Sequence, residues 1–493
     1  MKKYIFILAG IILIGIGNLN SQNSNIMYFM RNVPGSYSMN PANTPVAKFY
    51  FNFPVISGFN FDFSTSGFAY KDIINQHPIY QDSLQIDLKG FYSKLNDDNH
   101  LKLSTSMPLF GFGFKAGKNY ISLGLDLNFD ARLNFSKDLI GVLVYGSKLN
   151  NGIANIMDDK LISLNAYISP SIGFARKIND KLDVGLRAKV PFGILNVNTE
   201  KSTLRLDLND GVSVMGDFLI HSSNVGGEFS FSGINSPTSP EFIDNIVVSE
   251  MLKNRGLAFD IGASYKIRKD MMVSLAVQDL GYIRWKTNTT DIVSKNPGAS
   301  FEINPYQYNS SSDTQDDMYE NIEDSIMNAL DLESRPGSSY TTYLPTKIYA
   351  SYTWNFAKTQ YISALYMGAI GSNYFDNNLS VFYNCQLERY LNVSVGNTFV
   401  FSNSSNTSLI NPSAAINFNL YLVNFFVGGG VRSSFDVAKL TGFNFFAGMN
   451  LAIGYHDYWK DNSNDSIFTT NNNNINNINN INNGETDNDI KID

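Results

Sequence analysis

Residues 121–135 read ISLGLDLNFDARLNF. Ile121, Leu123, Leu125, Leu127, Phe129, Ala131, Leu133 and Phe135 fall on one side of this run. Ser122, Gly124, Asp126, Asn128, Asp130, Arg132 and Asn134 fall on the other. A period of two is that of a β-strand. At the usual rise such a strand is about 50 Å long, whereas strands of soluble domains commonly stop near 5–6 residues. A strand crossing a bilayer needs about 9–11 residues, apolar toward lipid and polar toward the lumen. The register is fixed by the same pattern, because a slip of one residue would turn Asp126, Asp130 and Arg132 into lipid. A lipid-facing Arg at mid-membrane costs about 2–4 kcal/mol. The stretch therefore predicts an all-β fold, a transmembrane antiparallel up-and-down β-barrel, with Asp126, Asp130 and Arg132 facing the lumen.

The first residues, MKKYIFILAGIILIGIGNLNSQ, place Lys2 and Lys3 before an apolar stretch and then short polar residues, the pattern of a cleaved export signal over 1–22. The stretch is too short for an anchoring helix, and no later apolar run approaches spanning length, so a membrane-embedded mature chain must cross with strands. Length alone does not divide the chain, since a barrel is one closed unit. The sequence holds 36 Phe and 27 Tyr, which fits the aromatic girdles of a barrel. Its net charge of −7 and lack of a basic cluster argue against a nucleic-acid partner.

Residues 23–45, including VPGSYSMNPANTP, are too rich in Pro, Asn and Ser to pair regularly, and predict an irregular segment at or inside the barrel mouth. The barrel is expected over 46–456. Its first strand, AKFYFNFPVISGFNFDF, is interrupted by Pro54, which demands a bulge or an edge. Residues 65–107 lack a steady period and read as a long loop with short helices. The hairpin from Pro108 to Phe135 follows, then a helical excursion over 136–159. A second hairpin runs from Ile162 to Ile194 and turns at Asn179 and Asp180, with Asp183, Arg187 and Lys189 on its polar face. Residues 198–255 read as another long excursion. Strand pairs then recur with tight turns at Lys269 and Asp270, at 357–359, at Arg389 and Tyr390, and at 421–423. The last strand runs over 443–455. This gives about 14 strands, with tight periplasmic turns, longer outside loops and both termini periplasmic. The Asn-rich tail over 457–493 reads as disordered.

Catalytic chemistry is not supported. His77, His100, His221 and His456 are scattered, and none forms a metal-spaced pair or a Cys/His cluster, so no metal or cofactor is expected. His221 beside Ser222 and Ser223 is the one local hint of a nucleophile. Neighbours on a strand point to opposite faces, so at most one serine shares the histidine's side. Cys385 lies on the apolar face of its strand and reads as a small lipid-facing hydrophobe. The glycines Gly428 to Gly430 lack the Lys-Ser/Thr of a phosphate loop and read as a bend or close approach. Residues 313–333 carry eight acidic residues around Met318, Ile322, Ile326 and Leu330, an acidic amphipathic helix read as a solvated face. Pro170 and Pro191 each remove a ladder donor from one hairpin. The plain reading is a pair of bulges; the functional one is a lateral wall gap through which a lipophilic molecule leaves.

The segment SMNPANTPVAKFYFNFPVISGFNF followed by STSGFAYKDI resembles the amino-terminal signature of a Bacteroidota outer-membrane barrel family known as a domain of unknown function. Its Asn40, Pro41 and Ala42 also resemble the motif near the mature start of FadL fatty-acid transporters and of the PorV and PorP barrels of type IX secretion. The resemblance implies that Asn40, Pro41 and Ala42 belong to a hatch inside the lumen. It implies a passive conduit for a small hydrophobic ligand, with outer-membrane lipid around it; the lack of a catalytic constellation predicts no enzyme activity. The alternative the resemblance offers is a non-transporting scaffold that binds secretion-system proteins. The chain departs from FadL in its Asn-rich tail and in lacking an aromatic terminal residue.

Overall fold

The computed structural model describes residues 24–454 except 31–32, 55, 77–83, 159–160, 210–211, 227–247, 296–299, 304–331, 373, 388–389, 402–410, 421 and 433–435. The export signal, the acidic helix over 313–331 and the Asn-rich tail lie outside the described residues.

The wall is a closed antiparallel barrel of 14 strands, several of them built from collinear segments. In chain order these are β1 (Phe49–Asn52 and Phe59–Thr65), β2 (Asp98–Ala116), β3 (Asn119–Ser136) and β4 (Ile153–Asp158 and Ile162–Lys177). Next come β5 (Leu182–Lys189 and Phe192–Asp207), β6 (Val212–Asn224 and Gly256–Arg268) and β7 (Met271–Trp285, Thr289–Ser294 and Ser300–Ile303). β8 comprises Leu332–Pro336, Tyr340–Tyr343 and Thr346–Ala357. β9 (Gln360–Ile370), β10 (Phe375–Leu387), β11 (Leu391–Phe401), β12 (Pro412–Leu420), β13 (Val423–Arg432) and β14 (Gly442–Ile453) complete it. Each strand pairs with the next, and β14 returns to β1 with Phe49 opposite Ile453 and Phe63 opposite Phe443. Closure removes the free edges that would otherwise expose unpaired backbone groups.

The alternation at 121–135 sits in β3, 18 residues long, against β2, 19 residues long. Its apolar side points outward. On the outer surface Ile172 is 57 % exposed and Leu275 56 % exposed, while inward Ser394 and Asn417 are wholly buried. A polar interior under an apolar exterior is the inverse of a water-soluble barrel, and it identifies hydrocarbon as the solvent of the outer face. Cys385 lies outward, as its parity implies, between the buried inward residues Asn384 and Gln386.

Short connections gather at one end, where β1 begins and β14 ends. Gly117 turns the β2–β3 hairpin with φ +61°, a conformation that glycine adopts without strain. Longer connections gather at the other end and carry helices α2 (Tyr70–Ile73), α3 (Leu88–Lys94) and α4 (Lys137–Tyr145), the first helix, α1, being Pro34–Met39. Pro54 lies in the break of β1, where the Ser57 N–H donates to the Phe53 carbonyl and the wall stays paired through the Met449 N–H to the Ile56 carbonyl at 2.8 Å.

Three expectations need correction. The helical excursion expected over 136–159 ends at Gly152, since the first segment of β4 is Ile153–Asp158 and pairs with β5. The loop expected over 65–107 ends at Asp97, since β2 already begins at Asp98. The excursion expected over 198–255 is half wall: β5 continues to Asp207 and Val212–Asn224 pairs along it. Residues 98–107 pair along β3 inside the alternating stretch and were obscured only by the irregular residues before them, whereas the segments over 198–224 lose the inside-polar pattern by which the other strands were read. Val197, Ile220 and Ile292 instead form an apolar cluster there.

β6 is thus one wall strand cut in two. The chain leaves the wall after Asn224 and re-enters at Gly256. The ends meet around Asn254, which is fully buried. The Asn254 carbonyl accepts from the Gly193 N–H at 2.7 Å, its side-chain oxygen accepts the N–H groups of Lys286 and Thr287, and its amide donates to Ser223.

Candidate functional site

The segment before β1 is folded inside the barrel. It forms a 3-10 turn over Ser24–Phe29, then α1, then a turn at 41–43. Pro34 at the first helical position suits a helix start, because its missing N–H would be unsatisfied there in any case. Ile26, Tyr28, Met30 and Val33 are buried against Tyr349, Leu365, Phe382 and Phe446 of the wall, and Tyr37 is buried against Tyr50 and Tyr120. Full burial of each such side chain is worth about 1.5–3 kcal/mol at most.

Polar bonds then fix the segment to six strands between β3 and β10. The Asn25 amide donates to Asn378 at 2.7 Å and to Ser380 on β10. The Tyr28 hydroxyl meets Ser274 of β7 at 2.7 Å, and the Tyr361 hydroxyl of β9 donates to the Phe29 carbonyl. Ser122 of β3 donates to the Tyr37 hydroxyl, and Ser264 of β6 donates to Asn43. Arg187 of β5 donates to the carbonyls of Tyr37 at 2.8 Å and Ser38 at 3.2 Å, with its guanidinium 4.6 Å from the Tyr37 ring centre.

Asn40, Pro41 and Ala42 lie in this plug, pressed to the wall. The Asn40 amide donates to the Tyr28 hydroxyl at 2.8 Å, and its side-chain oxygen accepts the Ala42 N–H at 2.9 Å. Two wall glycines make room for them. A Cβ on Gly185 would lie 2.2 Å from the Pro41 carbonyl oxygen, and one on Gly262 would lie 2.0 Å from the Asn40 side-chain oxygen. Both contacts are far inside van der Waals distance.

Above the plug lies a cavity of about 200 Å³. Asp126, Asp130, Arg187 and Lys189 line it, and Arg132 stands higher in the lumen, 3.1 Å from Asp376. Asp183 shares the parity of Arg187 and Lys189, nearest the turn. Partners not singled out in the sequence complete the arc. Asp260 is 3.2 Å from Arg187 and 2.8 Å from Lys189, and Asp279 is 2.6 Å from Lys189 and 3.8 Å from Lys347. Inward parity alone would have found Asp260 and Lys347. Asp279 it would not, because this residue has φ +59° and reverses the alternation of β7. Before it Met272, Ser274 and Ala276 face in; after it Ile283 and Trp285 do.

Hydrogen bonds continue across the wall at Pro170 and Pro191. The Val190 N–H donates to the Pro170 carbonyl at 3.0 Å, and the Gly256 N–H to the Pro191 carbonyl at 2.8 Å. A register slip, a bulge, lies nearby between Gly193 and Leu195. His221 sits in the wall beyond the lumen, between Asp291 at 2.8 Å and Glu200 at 2.7 Å. The Ser222 and Ser223 hydroxyls instead donate to backbone carbonyls of β7 and its connection. No metal-binding cluster occurs among the described residues.

The profile of a family of unknown function, DUF5723, matches residues 41–429. The chain belongs to that family. No curated protein matches it. Solved structures similar to it include the Ralstonia pickettii toluene transporter TbuX, at 10% identity over 85% of this chain and 94% of that one, with a TM-score of 0.41. A Pseudomonas aeruginosa FadL homologue is 9% identical over 89% of this chain and 100% of that one, with a TM-score of 0.42. The Pseudomonas putida toluene transporter TodX is 8% identical over 88% of this chain and 95% of that one, with a TM-score of 0.39.

Proposed function

We propose that this DUF5723 barrel is a passive, hatch-plugged conduit of the outer membrane, its short turns and both termini on the periplasmic side. The observation that carries the reading is the plug. A segment bonded to six wall strands across the lumen, with a cavity above it, is an arrangement that a purely structural barrel does not require. Small hydrophobic cargo is what the resemblance through Asn40, Pro41 and Ala42 implies. The cavity supports a mixed cargo better, since Met27 and Met39 of the plug and Phe426 of β13 face it on one side and the ionic arc on the other. With the wall continuous at Pro170 and Pro191, passage runs along the lumen axis. No feature of the described residues favours the secretion scaffold.

The plug can be locked to test this. Asn43 and Ser264 meet at 3.2 Å, so cysteines placed at both, in a Cys385→Ser background, should crosslink the segment to β6. Solute flux into proteoliposomes is expected to fall on oxidation and to recover on reduction. Equal flux in both states, or none in either, would reject a plugged conduit.

A further inference from the structure

We infer that the cavity is a binding site for a small solute that carries a protonated amine and a carboxylate on an apolar body, of amino-acid size; this rests on the conduit reading and names its cargo.

The inference starts from the charges the wall leaves over. Arg187 and Lys189 are consumed by Asp260 and Asp279. Asp126 and Asp130 face the same cavity from β3, and among the described residues neither has an ion pair. Asp130 accepts one hydrogen bond, from Ser104 at 2.6 Å. At the other end of the arc Lys347 is only loosely held, with its one carboxylate partner at 3.8 Å. Two carboxylates with no cation in contact and an ammonium with a distant anion therefore border a single chamber. All three are half-buried, and a partly desolvated charge gains from a close partner, so the chamber favours an occupant that supplies both opposite charges.

A second observation points the same way. Ser169 of β4, opposite Asp126 in the ladder, lines the cavity and is 3 % exposed, yet its hydroxyl has no hydrogen-bond partner. A ligand ammonium at Asp126 lies within a strand's width of that oxygen, which can accept from it. The apolar body would rest on Met27, Met39 and Phe426. A volume of about 200 Å³ holds one amino acid rather than an oligomer.

Calorimetry on the full-length barrel in detergent, with L-leucine as the probe, tests the inference. N-acetyl-leucine lacks the ammonium, isoamylamine lacks the carboxylate, and N-acetyl-leucinamide lacks both. Leucine should bind, and N-acetyl-leucine should bind at least about tenfold more weakly, the cost of one charge-assisted bond. The double variant Asp126→Asn, Asp130→Asn should abolish that preference. Lys347→Met should weaken leucine and leave isoamylamine unchanged. Equal binding of all four probes, or a preference that survives the double variant, overturns the inference. The conduit reading fails separately, by the flux of the crosslinked and reduced barrels: leucine can bind where nothing passes, and solutes can pass where leucine does not bind.

Discussion

At the scale of the residue, the plug depends on what is missing from the wall. Gly185 and Gly262 stand in strand interiors, where alanine ordinarily costs nothing and often stabilises. Here a methyl would strike Pro41 or Asn40. Gly185→Ala is expected to destabilise by about 1–3 kcal/mol, the usual range for overpacking, and to raise proteolysis of the plug in folded barrels. An unchanged melting temperature would mean that the plug does not rest there. These glycines were visible in the sequence, but nothing there distinguished them from glycines at a bend, because their reason lies in a segment more than a hundred positions earlier. The lumen charges were legible where alternation is unbroken: Asp126, Asp130, Arg187 and Lys189 all lie on the face their parity assigns. Asp279 was hidden by its own backbone. A β-branched residue at φ +59° is strained and a glycine is not. Asp279→Val should therefore cost more than Asp279→Gly, although both lose the bonds to Lys189 and Lys347. Denaturant midpoints of the two variants measure the difference.

At the scale of the element, β6 shows how a closed wall tolerates a large insertion. The chain leaves opposite Leu195 and returns opposite Phe192, and a single buried asparagine spans the cut by bonding four neighbours. Leucine at 254 has nearly the same volume and no polar side chain, so it strands the N–H groups of Lys286 and Thr287, whereas the backbone bond from Gly193 and the Ser223 bond to the Thr287 carbonyl remain. An unsatisfied buried group costs about 1–3 kcal/mol. Asn254→Leu is expected to speed hydrogen exchange of the amides of Lys286 and Thr287, and exchange as slow as in the native barrel would contradict this role. The element boundaries were least readable here, since the strands beyond the lipid band pack apolar residues of their own and no longer advertise which side is wet. Strand number was readable, because each hairpin inside the band keeps its period of two and its tight turn. The plug was legible only as a Pro- and Asn-rich segment, with no period to say where it lies.

At the scale of the molecule, the account makes the barrel's outer face lipid-exposed and its inner face polar and largely filled. Closure with no free edge should make the folded barrel resistant to dissociation by detergent, so unboiled and boiled samples should migrate differently on a denaturing gel. The central claim is which solvent touches which side of β3. Nitroxide labels placed one at a time at Leu125 and at Asn128, in barrels reconstituted into lipid, report it through their relative collisions with oxygen and with a water-soluble nickel complex. The account predicts that Leu125 is reached by oxygen and shielded from nickel, and that Asn128 shows the reverse or is shielded from both. The same high nickel accessibility at both positions would contradict it.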